Sequence, residues 1–112
     1  MKECEKAYIA GIIYGEGSIM LQKFHKNEYP SPCVSVASTT LELLKWIKET
    51  VGNGVINHKK NYNIDRHKDC YSYVIKYDMA IKLLNEIYPY LIIEVKKRRA
   101  EMILKYYKKS FL

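Results

Sequence analysis

Tyr8-Ile9-Ala10-Gly11-Ile12-Ile13-Tyr14-Gly15-Glu16-Gly17 is apolar, carries two glycines four apart, and stops on a carboxylate between glycines. As a helix it places Gly11 and Gly15 on one face, one turn apart. Glycine inside a helix costs about 0.5–1 kcal/mol relative to alanine. Two of them on one face imply a gain, and the gain is close backbone approach by a second helix, as small residues at this spacing allow. The apolar run breaks at Glu16, too soon to span a bilayer, so the partner helix is expected to be protein in water. A helix C-terminus carries a partial negative charge, and a carboxylate there requires an offsetting positive one. A divalent cation would supply it, with the carboxylate and exposed backbone carbonyls as hard oxygen ligands. The alternative reading is a buried helix that ends on a solvated glutamate.

Outward from this stretch, residues 4 to 15 read as helix, with Glu3 and Glu5 in the favoured first turn. Residues 18 to 26 read as a strand that ends in the turn chemistry of Asn27-Glu28-Tyr29-Pro30-Ser31-Pro32. Cys33 to Ser38 is a second strand, with Val34 and Val36 on one face and Ser35 and Ala37 on the other. Leu43, Leu44, Ile47 and Val51 form one stripe of a second helix over 41–51. Thr39 or Thr40 is the natural N-cap, Thr39 with Glu42 is positioned to make a capping box, and Gly52-Asn53-Gly54 to end the helix. Strands over 55–60 and 70–77 flank a polar loop. Asp78 is placed to cap a third helix over 79–87, which must end near Tyr88-Pro89, and a last helix covers 94–108. The order is α-ββ-α-ββ-α-α, an α+β domain spanning 1–112.

A chain of 112 residues with 48% hydrophobic content is one globular domain. Its net charge of +7 points to a polyanionic partner, most simply nucleic acid. A membrane surface fits less well, because no long basic amphipathic helix dominates. Cys4, Cys33 and Cys70 are odd in number and widely spaced, which argues against a zinc site or a disulfide framework and fits a reducing compartment. The charged Met-Lys-Glu-Cys-Glu-Lys start lacks the apolar run of a signal peptide, so an intracellular location is expected. His25, His58 and His67 make no spacing suited to a metal or a general base, and there is no glycine-rich phosphate loop and no Ser/His/Asp arrangement.

The stretch Ile9-Ala10-Gly11-Ile12-Ile13-Tyr14-Gly15-Glu16-Gly17 resembles the signature of the LAGLIDADG homing endonucleases, with Tyr14 where the family name spells Asp. The element order resembles the αββαββα unit of that family over nearly the whole chain. One signature is present, not two, and single-motif members of the family work as homodimers. The resemblance therefore implies that the Gly11/Gly15 face meets its own copy across a two-fold axis. It implies a Mg²⁺ site made by Glu16 of each subunit with the Gly15 carbonyl. It implies a catalytic cation in Val95-Lys96-Lys97-Arg98-Arg99-Ala100, with Lys96 the better carry-over and Lys97 the runner-up, stabilising charge on the phosphate or orienting the water. The plain alternative there is a solvated helix start. Ser38 is the nearest match to a polar residue that positions water after the second strand.

The resemblance also makes the sheet a reader of double-stranded DNA, since two-stranded ribbons fit the major groove and alternate side chains reach base edges. Continuing the register from Glu16 puts Ser18, Met20, Gln22, Phe24 and Lys26 on the reading face, followed by Asn57, Lys59, Asn61, Tyr71 and Tyr73, with Ile56 and Val74 inward. A slip of one residue would exchange the whole set. The implied function is a metal-dependent, sequence-specific DNA endonuclease that makes double-strand breaks at a palindromic or pseudopalindromic site and promotes mobility of its encoding element. The competing readings are an RNA-binding intron maturase and a nuclease-dead DNA-binding protein on the same fold, and, more blandly, a basic dimerisation module.

Overall fold

Short-range chemistry sets the order of elements. In the computed structural model, which describes residues 1–22, 30–59 and 69–108, helix α1 (Glu3–Glu16) opens with the Lys2 backbone N–H donating to the Glu5 carboxylate at 2.7 Å. It runs directly into β1 (Gly17–Gln22), and then follow β2 (Ser31–Ser38), α2 (Leu41–Val51), β3 (Val55–Lys59), β4 (Cys70–Lys76), α3 (Tyr77–Ile87), a 3₁₀ turn (Tyr88–Tyr90) and α4 (Glu94–Lys108). The N-cap of α2 falls on one of its two expected residues, without the capping box, and that of α3 does not fall on Asp78. Thr40 is the N-cap of α2 with no side-chain bond to the helix; instead the Ser38 hydroxyl accepts the Thr40 N–H at 3.0 Å. Asp78 lies inside the first turn of α3, because Tyr77 turns the chain out of the sheet with φ 57° and moves the N-cap back to Lys76. There Asp78 still favours the positive helix end.

The strands form one antiparallel sheet in the order β1-β2-β4-β3. Partners opposite each other share a face. Ile19, Val34, Val36, Tyr73 and Ile75 thus point to one side, where they are buried against α1, α2, α3 and α4. Ile9, Ala10 and Ile13 from α1, Leu44 and Ile47 from α2, and Leu83, Leu84 and Ile87 from α3 complete that core. The other face of the sheet carries none of the described residues of that core, although Cys33 and Ser31, which lie on it by the same register, are buried. It presents Ser18, Met20 and Gln22 from β1, Ser35 and Ala37 from β2, Ser72, Val74 and Lys76 from β4, and Val55 and Asn57 from β3, all exposed or half-buried.

This register corrects the reading of β4. Tyr71 and Tyr73 share the helix side, and Val74, expected inward, lies on the open side between Ser35 and Val55. The reason is alternation. Tyr71, Tyr73 and Ile75 are the bulky set of that strand, and Ser72 and Lys76 belong to the other, so burying the first set removes more apolar surface from water. Tyr73 is 0% exposed, and its hydroxyl donates to the Asn53 carbonyl at 2.6 Å, which satisfies the one polar atom the burial strands. Its ring needs the glycine beside it: a Cβ on Gly54, where φ is 107°, would come within 2.5 Å of that ring. Burial pushes the Tyr73 phenol up to about 12.

Candidate functional site

Helix α1 has a buried side and an exposed one. Ile9, Ala10 and Ile13 are buried, whereas Tyr8, Gly11, Gly15 and Glu16 face outward. A Cβ added to Gly11 or to Gly15 would meet nothing within 4 Å. Neither glycine is required by packing within this chain. Gly17 is required: its Cβ would fall 2.7 Å from the Ile13 Cα, because the chain turns there from helix into strand with its N–H on the Ile13 carbonyl. Glu16 therefore stands exposed between an unpacked glycine and a tightly packed one.

The start of α4 holds this corner. Lys96 Nζ donates to the carbonyls of Ile13, Tyr14 and Gly17 at 2.6, 2.8 and 2.9 Å. Tyr14, the departure from the signature, accepts the Ile93 N–H on its hydroxyl, and Arg99 Nη1 donates to the Ile19 carbonyl at 3.3 Å. The Lys96 side chain is half-buried, and its ammonium donates to backbone carbonyls rather than standing as a spare cation. It supplies the positive charge that the C-terminus of α1 requires. Lys97 turns elsewhere and stands 5.6 Å from the centre of the Tyr88 ring. Ser38 leaves β2 one pleat beyond the Gly17–Val36 pair, at the same end of the sheet as Glu16, with its hydroxyl accepting the Thr40 N–H.

Among the described residues no group of three or more His, Cys, Asp or Glu side chains could hold a metal ion. A single exposed carboxylate per chain is nonetheless the donor set that Mg²⁺ uses when one or two carboxylates and substrate phosphates complete the shell. Glu16 fits that pattern, with hard oxygen donors, no hydrogen bond or ion pair to its carboxylate among the described residues, and a Gly15 carbonyl that Lys96 does not take.

The expected readers separate by face. Ser18, Met20, Gln22 and Asn57 are on the open side, and Tyr71 and Tyr73 are not. The buried Tyr73 cannot reach a base edge, and Tyr71 stacks on His58 with ring centres 4.8 Å apart. His58 also pairs with Asp69 at 3.0 Å, in keeping with a structural role. Phe24, Lys26, Asn61, His25, His67 and the Lys59 side chain lie outside the described residues. Lys76 and Ser72, on the open side, were missed. The signal that could have found them is the polar set of β4, had its alternation been weighed against tyrosine bulk. No described helix is long and apolar enough to cross a membrane.

A four-stranded antiparallel sheet with helices on one face, the other face open, and a glycine-bearing helix that ends on an exposed acid at the sheet's corner define an α+β unit of one recognisable class. The chain is similar to the homing endonuclease I-CvuI crystallised with its target and Ca²⁺, at TM-score 0.76 and 21% identity over 96% of this chain and 68% of that one. It is similar to the archaeal intron-encoded homing endonuclease I-Vdi141I complexed with DNA, at TM-score 0.72 and 27% identity over 99% and 71% of the two chains. It also matches the LAGLIDADG homing endonuclease I-GzeII in complex with its DNA target, at TM-score 0.67 and 20% identity, covering 96% of this chain but 38% of that longer one. No protein-family model matches the chain, and no curated protein does. The chain has the fold of the LAGLIDADG homing endonucleases, and its glycine-bearing helix resembles their signature.

Proposed function

We propose that this chain is the subunit of a homodimeric, divalent-metal-dependent DNA endonuclease that cuts both strands at a palindromic or pseudopalindromic site, and that this cutting promotes mobility of its encoding element. The observation that carries the reading is the exit of α1, where an exposed carboxylate follows a glycine face with nothing packed on it. Two such faces brought together would put two Glu16 side chains near one axis, one for each strand of a duplex. Like charges that close need cations between them. Mg²⁺ held there would activate water for attack on the phosphodiester and stabilise charge on the leaving oxygen.

The rest of the molecule supplies binding. The open sheet face would lie in the major groove, with Gln22 and Asn57 suited to adenine edges and Lys76 to phosphate or guanine. The net charge of +7 would draw the protein to the phosphate backbone. The structural neighbours named above support DNA as the partner, since each was crystallised with it.

The test is a selection from random duplexes bound in Ca²⁺ and then supplied with Mg²⁺, with Glu16→Gln run in parallel. The expected result is a palindromic site that the parent cuts and Glu16→Gln only binds, with cleavage reduced more than a hundredfold. Binding without cutting by the parent would instead mark a nuclease-dead DNA-binding protein. Preference for structured RNA without any metal requirement would mark a maturase.

A further inference from the structure

We propose that Lys96 is a positioning residue: its ammonium, held by the carbonyls of Ile13, Tyr14 and Gly17, fixes the exit of α1 and so the direction in which Glu16 presents its carboxylate, and it does not touch the phosphate that is cut. The proposal rests in part on the reading of Glu16 as the metal ligand. An ammonium has three protons and no more, and three acceptors stand at 2.6, 2.8 and 2.9 Å. A phosphate oxygen could be reached only by breaking one of these charge-assisted bonds.

The three carbonyls bracket the acid. Ile13 and Tyr14 lie before Glu16 and Gly17 directly after it, so one nitrogen ties down the backbone on both sides of the carboxylate. The Ile13 carbonyl also accepts the Gly17 N–H that closes the helix. Two further contacts add to the grip, the Ile93 N–H just before α4 on the Tyr14 hydroxyl and Arg99 of α4 on the Ile19 carbonyl. All of them hold the peptide between residues 13 and 19, and among the described residues none holds the Glu16 carboxylate itself. Such an arrangement aims a side chain and leaves its oxygens for another ligand. It also has a chemical requirement. Three protons diverging from one nitrogen match three carbonyls around a helix end, whereas a planar guanidinium spreads its donors in a sheet. Arginine keeps the charge and loses the fit.

This difference separates positioning from simple charge. Lys96 places a positive charge near the carboxylate, and if that were its whole effect, removing it would tighten binding of a cation at Glu16. If it positions, removal weakens that binding. The experiment uses Mn²⁺ alone as the probe, its binding followed by electron paramagnetic resonance for the parent, Lys96→Met, Lys96→Arg and Glu16→Gln. Amide hydrogen exchange at Gly17 is measured on the same proteins. The expected result is at least tenfold weaker Mn²⁺ binding and at least tenfold faster Gly17 exchange in Lys96→Met, with neither restored by Lys96→Arg. Tighter or unchanged Mn²⁺ binding together with unchanged Gly17 exchange in Lys96→Met would overturn the proposal.

Two controls keep it separate from its premise and from misfolding. If Glu16→Gln binds Mn²⁺ as the parent does, the metal reading of Glu16 fails, and the clamp stands or falls on Gly17 exchange alone. If the Lys96 variants do not fold, the parent still decides. Nitrogen-resolved NMR of its lysine ammonium groups should show one group whose protons exchange with water at least tenfold more slowly than those of exposed lysines, and whose signal does not move when duplex DNA is added. Fast exchange at Lys96 would show the ammonium solvated, and a shift on adding DNA would show it moved to phosphate; either would overturn the positioning role.

Discussion

Tyr73 illustrates how one side chain can carry opposite meanings in sequence and in structure. As a tyrosine on an alternating strand of a basic protein it suits a base contact, yet it is fully buried with its hydroxyl on the Asn53 carbonyl. Its phenol is pushed up to about 12 by burial, from an ordinary value of 10. The neutral form is the one the fold holds, so the stabilisation is complete below pH 10, where the unfolded phenol is also neutral. It is lost as pH rises from 10 towards 12, where only the unfolded chain ionises. Denaturant titrations across that window should show stability falling by on the order of 2–3 kcal/mol from this group. Tyr73→Phe should remove that component while costing about 1 kcal/mol at neutral pH for the lost hydrogen bond. A parent and a Phe variant with the same alkaline slope would contradict this account.

Helix α1 is the element on which two tasks meet. Its Ile9, Ala10 and Ile13 side belongs to the core, and its Gly11 and Gly15 side meets nothing within 4 Å. A side chain at Gly15 therefore has room in the single chain, and Gly15→Leu should leave the melting temperature of the folded chain intact or raise it slightly, since leucine has the better helix propensity. The same leucine would hold apart two helices that need close backbone approach. Sedimentation should show the parent as a dimer and Gly15→Leu as a monomer with unchanged circular dichroism. An unchanged dimer would remove the glycine face from the interface. The signature glycines were legible in the sequence because helical spacing is a local property. The grip of Lys96 on the end of this helix was not, since it joins residues about eighty positions apart.

At the scale of the whole molecule, one sheet separates two environments, the helix-packed core on one side and an open face of mixed polar and apolar side chains on the other. With a net charge of +7, binding to duplex DNA should be steeply salt-dependent. Lys76→Gln and Asn57→Ala, on the open face, should weaken that binding, and Lys76→Gln should also lower the slope of log affinity against log salt by about 1 if it meets phosphate. Tyr71→Phe, on the helix side, should leave both unchanged. Titration of a labelled duplex over a range of salt concentrations measures all three, and an effect confined to Tyr71→Phe would place the DNA on the other face.

The amino-acid sequence by itself determined the order of elements, the apolar stripes, the glycine spacing and the acid at the end of α1, because each depends on neighbours within a turn or a pleat. It left the face of β4 open, since Tyr71-Ser72-Tyr73-Val74 alternates acceptably in either register and only competition for the core decides between them. It also left open what neutralises the end of α1. There the tertiary structure chose Lys96, because the long side chain from α4 brings its ammonium to the point where the carbonyls of Ile13, Tyr14 and Gly17 converge.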